Sequence, residues 1–86
     1  MVTFQLDCQY MTDREQLHHY LKETLSLPEY YGNNLDALFD CLTELGPTTI
    51  QFSNLDRLIP LGDYGEGLLS TFRDAALENP NLDILF

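Results

Sequence analysis

Asp36, Asp40 and Glu44 stand four residues apart, with Thr43 beside them. On a helix that spacing stacks three carboxylates on one face. Asp36 would lie near the helix N-terminus, where the dipole favours an anion, whereas Asp40 lies a full turn further on and gains less. Like charges at this spacing repel, so the row weakens its own helix and invites a cation from elsewhere. Two adjacent tyrosines, Tyr30 and Tyr31, precede it in a segment with Gly32, Asn33 and Asn34, and Phe39 flanks the row instead of sitting at the centre of the apolar arc. Aromatic side chains beside charges are the usual material of protein–protein hot spots. A solvated helix face is the competing explanation for the carboxylates alone.

Other chemistries fit less well. Three helical carboxylates could touch a hard cation, but no calcium-loop pattern is present and no His or Cys joins them, so no metal or other cofactor is expected. Paired acids serve glycosidases, yet two carboxylates on one exposed helix lack a substrate cleft. No Cys, His and acid combination is suggested, and there is no glycine-rich phosphate loop or serine motif; the chain is not expected to be an enzyme. His18 and His19 are adjacent rather than spaced as ligands, and their expected place is the exposed side of the first helix.

Charge narrows the partners. Fourteen Asp and Glu against four Lys and Arg give a net charge of -10. That excess repels nucleic acid and anionic membranes and draws in basic partners. Two cysteines, Cys8 and Cys41, are too few for a disulfide scaffold. The first apolar stretch, Met1 to Leu6, is broken by Thr3 and Gln5, so no leader or membrane span is expected. Free thiols in a reducing cytoplasm follow, with Cys41 a buried structural thiol inside a helix.

The elements that must carry these residues are short and alternate. Val2, Phe4 and Leu6 predict a strand with one wet face. Thr12 and Glu15 form a capping-box pattern, and Leu17, Tyr20, Leu21 and Leu25 predict a first helix from about Asp13 to Leu25. Pro28 to Asn34 is a loop, and Asn34 is a good N-cap for a second helix with Leu35, Leu38, Phe39, Leu42 and Leu45 as its stripe, stopped by Gly46-Pro47. Ile50 and Phe52 predict a second strand. Asn54 could cap a short helix ended by Pro60; the last helix begins between Leu61 and Gly67, carries Leu68, Leu69, Phe72, Ala75 and Ala76, and stops before Pro80. Leu82, Ile84 and Phe86 predict a third strand. Strands separated by helices pair in parallel through right-handed crossovers. The expected fold is therefore α/β: one domain over residues 1–86, two layers, a three-stranded parallel sheet in order 1-2-3 and about four helices.

The run Leu27-Pro28-Glu29-Tyr30-Tyr31-Gly32-Asn33-Asn34-Leu35-Asp36-Ala37-Leu38-Phe39-Asp40-Cys41-Leu42-Thr43 closely resembles the signature of the barstar family of intracellular ribonuclease inhibitors. A weaker match is Phe72-Arg73-Asp74-Ala75, and length and element order agree over essentially the whole chain. The resemblance implies a barstar-like fold whose second helix and preceding loop enter the active site of a barnase-like, guanyl-specific microbial ribonuclease. On that likeness Asp40 matches the acid that stands in for a phosphate, and Asp36 matches a second acid facing active-site cations. Tyr30 matches the aromatic packed on the catalytic histidine. Gly32 and Asn34 match loop positions of close approach, Phe39 and Thr43 further contacts, and Asp74 a peripheral acid where the family member compared has Glu. With Tyr31 and Glu44 from the spacing argument, these are the expected partner-binding residues.

Departures from the family pattern point to a different ribonuclease partner. Phe39 stands where the family has Trp, Asn33 where it has Glu, the connection after the second helix looks shorter, and Cys41 matches a family cysteine while Cys8 does not. The implied protein is a monomer when free and forms a one-to-one complex with its enzyme. The alternative is an acidic immunity or adaptor protein for a basic toxin or partner that is not a nuclease.

Overall fold

In the computed structural model, which describes residues 2–86, three strands and three α-helices are joined by two 3-10 segments. Strand β1 is Val2–Asp7, β2 is Thr48–Ser53 and β3 is Leu82–Leu85; helices α1, α2 and α3 are Arg14–Leu25, Leu35–Thr43 and Asp63–Glu78. The sheet is parallel throughout in the order β1-β2-β3. Its register places Leu6 beside Phe52 and Ile50 beside Ile84. The alternation read from the sequence sorts the two faces. Leu6, Thr48, Ile50, Phe52 and Leu82 turn inward, while Thr3, Gln5, Gln51 and Asp83 stay exposed. Helices cover the inner face alone, which is the expected two-layer arrangement.

The core joins that face to Leu17 and Leu21 of α1, Leu38 and Leu42 of α2, and Leu68, Phe72 and Ala75 of α3. Phe72 meets the edge of Phe52 at 4.9 Å between centroids, and Phe86 stacks on the same ring at 5.5 Å. Helices α2 and α3 lie close enough that a Cβ on Gly67 would come within 3.2 Å of Leu35 Cδ1. At Gly65 a Cβ would meet the Leu58 carbonyl oxygen at 2.8 Å, so that backbone approach requires glycine.

Several local expectations need correction. The N-cap of α1 is Asp13, which accepts from the Gln16 amide at 2.8 Å; an Asp one residue on caps at least as well as Thr12 and takes the role. Asn54 caps nothing. It adopts a left-handed conformation, φ 56°, and its side chain donates across the sheet end to Asp7 Oδ1 at 2.8 Å. Pro60 does not end the segment after it, since the 3-10 helix Leu55–Leu61 includes that proline and closes with Gly62 N–H donating to the Ile59 carbonyl. Helix α2 stops at Thr43, before Leu45 and Gly46-Pro47, and Leu45 is only partly buried. No helix among the described residues is long and apolar enough to cross a membrane.

Candidate partner-binding face

Asn34 starts the functional helix as its spacing suggests. Its side chain accepts from the Ala37 amide at 2.7 Å and donates to the Gly32 carbonyl at 3.2 Å, so one residue both caps α2 and braces the loop before it. A Cβ on Gly32 would lie 3.2 Å from that same Asn34 amide nitrogen, so a side chain there would press on the cap. Asn33 holds a left-handed φ of 54°, a conformation Asn tolerates better than most residues.

With the apolar stripe facing the core, Asp36, Asp40 and Glu44 are all exposed. Thr43 is half-buried and its hydroxyl donates back to the Asp40 carbonyl at 2.9 Å. Phe39 is half-buried at the margin of the core. Tyr30 stands 84% exposed beside the carboxylate row. Asp74 is exposed on α3, the helix packed against α2. Among the described residues no three of His, Cys, Asp and Glu come together in a way that could hold a metal ion.

The cations are elsewhere. Arg14 lies over the Tyr64 ring at 4.2 Å, Lys22 pairs with Glu29 at 3.5 Å and Arg73 lies over Phe86 at 5.5 Å; the Asp7 carboxyl is held below its ordinary range first by the hydrogen bond from Asn54, then by Gln9, and least by the charge of Arg57. Arg14 borders the same cleft as Asp36 without pairing with it. Among the described residues, no ion pair reaches Asp36, Asp40, Glu44 or Asp74. The row is a block of acidic side chains with no ion-pair partner among the described residues.

Two residues lie where the sequence did not put them. Tyr31 is only 6% exposed, so unlike Tyr30 it points into the protein. His18, expected on the surface of α1, is 2% exposed; His19 beside it is exposed as anticipated. The His18 ring is bonded on both sides, Nδ1 to the Tyr31 hydroxyl at 2.6 Å and Nε2 to the Tyr64 hydroxyl at 2.5 Å. Three residues from α1, the loop and α3 form this chain, and only the helical phase of His18, one step after Leu17, hinted at it. Cys41 is half-buried rather than buried, and burial, then Glu44 and Asp40, raises its thiol; Cys8 is fully buried and pushed up to about 11.

Burial holds the His18 imidazole below its ordinary value of 6.5, because the interior disfavours the charged ring. Above that value both folded and unfolded chains carry it neutral. As pH falls through 6.5 the unfolded chain takes up a proton first, so stability is lost until the folded value is passed. Urea unfolding should therefore give a lower midpoint at pH 5.5 than at pH 7.5, and His18→Gln should flatten that difference. A slope that survives the substitution would assign it to another group.

Residues 1–85 match the family model described as Barstar (barnase inhibitor). A protein of Bacillus subtilis (strain 168) named putative ribonuclease inhibitor YrdF is 42% identical over 71 residues, covering 74% of each chain. With three parallel strands in the expected order and the signature run mapped onto the loop and α2, the chain belongs to the barstar family and is a ribonuclease-inhibitor protein, not an enzyme.

Proposed function

We propose that the face formed by Tyr30, Gly32, Asn34, Asp36, Phe39, Asp40, Thr43 and Glu44, with Asp74 at its rim, closes the basic active site of a barnase-like ribonuclease. Asp40 and Asp36 would sit where RNA phosphates bind, and Tyr30 would pack over the catalytic residues. The observation that carries this reading is the exposed carboxylate row on α2, which no ion pair reaches among the described residues, while Arg14, Lys22 and Arg73 contact other groups. The relative named as a ribonuclease inhibitor supports the same class of partner. Tyr31 contributes from inside, by holding the loop.

The physical logic is substitution of one anion for another. Burying an ion pair often only breaks even against an apolar pair, because both charges lose water. A ribonuclease has already gathered its cations to receive a polyanion, so part of that cost is met before the inhibitor arrives. In this reading the protein acts in the cytoplasm as a single domain, monomeric when free and one-to-one with its enzyme. Free thiols suit that compartment.

Stopped-flow association with a purified barnase-type ribonuclease tests it. Complementary charge accelerates encounter, behaviour for which the barstar family is itself a reference case. The screening length shrinks from about 30 Å at 0.01 M salt to about 3 Å at 1 M. The association rate should fall about tenfold or more across that range while ribonuclease activity is blocked in proportion to complex formed. Complex formation without loss of RNA cleavage would place the partner in another class.

A further inference from the structure

The loop that carries Tyr30, Gly32 and Asn34 is not held by backbone pairing to the sheet. Its internal support is one hydrogen bond from the Tyr31 amide to the Pro28 carbonyl at 2.9 Å and the Asn34 bonds to Gly32 and Ala37. Asn33 in its midst keeps a left-handed backbone. Such a segment would ordinarily sample several conformations, and each would dilute the one a rigid partner accepts. The side chain that prevents this is Tyr31. Its ring is buried against the core, and its hydroxyl ends on His18.

We propose that His18 is the positioning residue of the recognition loop: bonded at once to Tyr31 and Tyr64, it clamps the loop to α1 and α3, so that Tyr30, Gly32 and Asn34 are preset for a partner. The proposal rests on the partner-binding reading above, but its first consequence belongs to the free protein. A neutral imidazole has one donor and one acceptor nitrogen, and a hydroxyl can serve either, so the three groups satisfy one another only while the ring stays uncharged or both tyrosines accept. The ring edges close the arrangement, with His18 lying 5.7 Å from Tyr31 and 6.0 Å from Tyr64 between centroids. Arg14 covers the other part of Tyr64, and Arg14, Glu15, Asn33, Asn34 and Asp36 surround the cleft of about 440 Å³ onto which His18 and Tyr64 open.

Two conservative variants separate the two ring nitrogens. The Asn amide reaches the place of Nδ1, and the Gln amide reaches the place of Nε2. His18→Asn therefore keeps a bonding group toward Tyr31, and His18→Gln keeps one toward Tyr64 only. Amide hydrogen exchange at Tyr31 and Ala37 in the free inhibitor, and dissociation from a barnase-type ribonuclease, should be measured for both, together with Tyr31→Phe. Leu82→Ala serves as a control that weakens the core far from the loop. His18→Gln and Tyr31→Phe should speed loop exchange about tenfold, the equivalent of one lost hydrogen bond, and speed dissociation similarly. His18→Asn should stay within about threefold of the parent in both, whatever its melting temperature. Leu82→Ala should melt lower with the loop amides unchanged. Equal behaviour of the Asn and Gln variants, or loop exchange that follows melting temperature across all four proteins, would overturn the assignment. Faster exchange with no change in dissociation would overturn the presetting of the loop for a partner, whereas failure of the parent protein to bind the ribonuclease at all would defeat the partner-binding reading instead.

Discussion

Asp40→Ala is expected to weaken binding to a barnase-type ribonuclease by roughly 100- to 4,000-fold while making the free protein more stable. Removing one member of a buried ion pair strands the other charge away from water, which costs about 3–5 kcal/mol, and each 1.4 kcal/mol is about a factor of ten in affinity. Most of the loss should appear as faster dissociation, as is usual when a contact is deleted inside an otherwise intact interface. The free protein should respond in the opposite sense. Asp40 has Asp36 and Glu44 as its neighbours at four residues' distance, no cation reaches any of them among the described residues, and it occupies the last turn of a nine-residue helix, where an anion opposes the dipole. Replacing it with Ala removes two repulsions and improves helix propensity, about 0.5–1 kcal/mol together, or about 3–6 °C in melting temperature. Isothermal calorimetry and thermal unfolding on the same sample read both numbers. Asp83→Ala, on the open face of the sheet, changes net charge by the same amount and should change affinity little. If the Asp40 variant melts lower, the carboxylate serves the fold; if its affinity matches that of the Asp83 variant, only overall charge matters.

The opposing signs express a general trade. A helix built for its own sake would alternate charges along its exposed face, and α2 does not. That choice was legible in the sequence because the i, i+4, i+8 spacing of the acids is a local pattern, and so was the Asn34 cap, since both its partners lie within three residues. The sheet was legible for the same reason: alternation within each strand and helices between strands leave little freedom in strand order. What local pattern could not show was where chain-distant polar groups meet. His18 was assigned, with His19, to the exposed side of the first helix because the adjacent pair is not spaced as ligands. Its burial follows from Tyr31, 13 residues away, and Tyr64, 46 residues away, supplying partners for both ring nitrogens. Asn54 was read as a cap from its neighbours, and the structure sends its side chain instead to Asp7, 47 residues distant. Tyr30 and Tyr31 are adjacent and identical in type, yet one is exposed and the other buried, because the turn closed by the Tyr31 amide on the Pro28 carbonyl at 2.9 Å carries Tyr30 outward and Tyr31 inward.

Asn79 is the clearest case of a residue that composition hides, and its removal should be among the most damaging to stability. Before Pro80 it reads as turn material, and the proline does hold it extended, at φ -116° and ψ 104°. Yet it is 4% exposed, and its side chain ties three segments together. Nδ2 donates to the carbonyls of Leu42 at 3.0 Å and Leu45 at 2.9 Å, and Oδ1 accepts from the Asn81 amide at 3.0 Å. One carbonyl belongs to the last turn of α2 and the other to Leu45 just past its end at Thr43, where no glycine caps the helix, so Asn79, at the end of α3, reinforces that terminus from a distance. Asn79→Ala would strip the Leu45 carbonyl of this bond, leave the Leu42 carbonyl with only the longer 3.3 Å bond from the Leu45 amide, and lose the bond to Asn81. About 3 kcal/mol follows, or about 12–24 °C in a domain of this size. Asn79→Asp should be worse near pH 7 despite its similar shape. A carboxylate has no donor for either carbonyl, and its charge would face the negative end of the helix that carries Asp40. Below about pH 4, where the acid is protonated and regains one donor, the Asp variant should recover part of the deficit relative to Ala. Thermal unfolding of the two variants across that pH range decides the point: melting within 2 °C of the parent at pH 7 in both would mean that α2 is anchored by its apolar stripe alone. A loss confined to stability, with ribonuclease binding by the folded fraction preserved within about tenfold, is the expected companion result, because Asp36 and Asp40 lie upstream of the carbonyls that Asn79 holds.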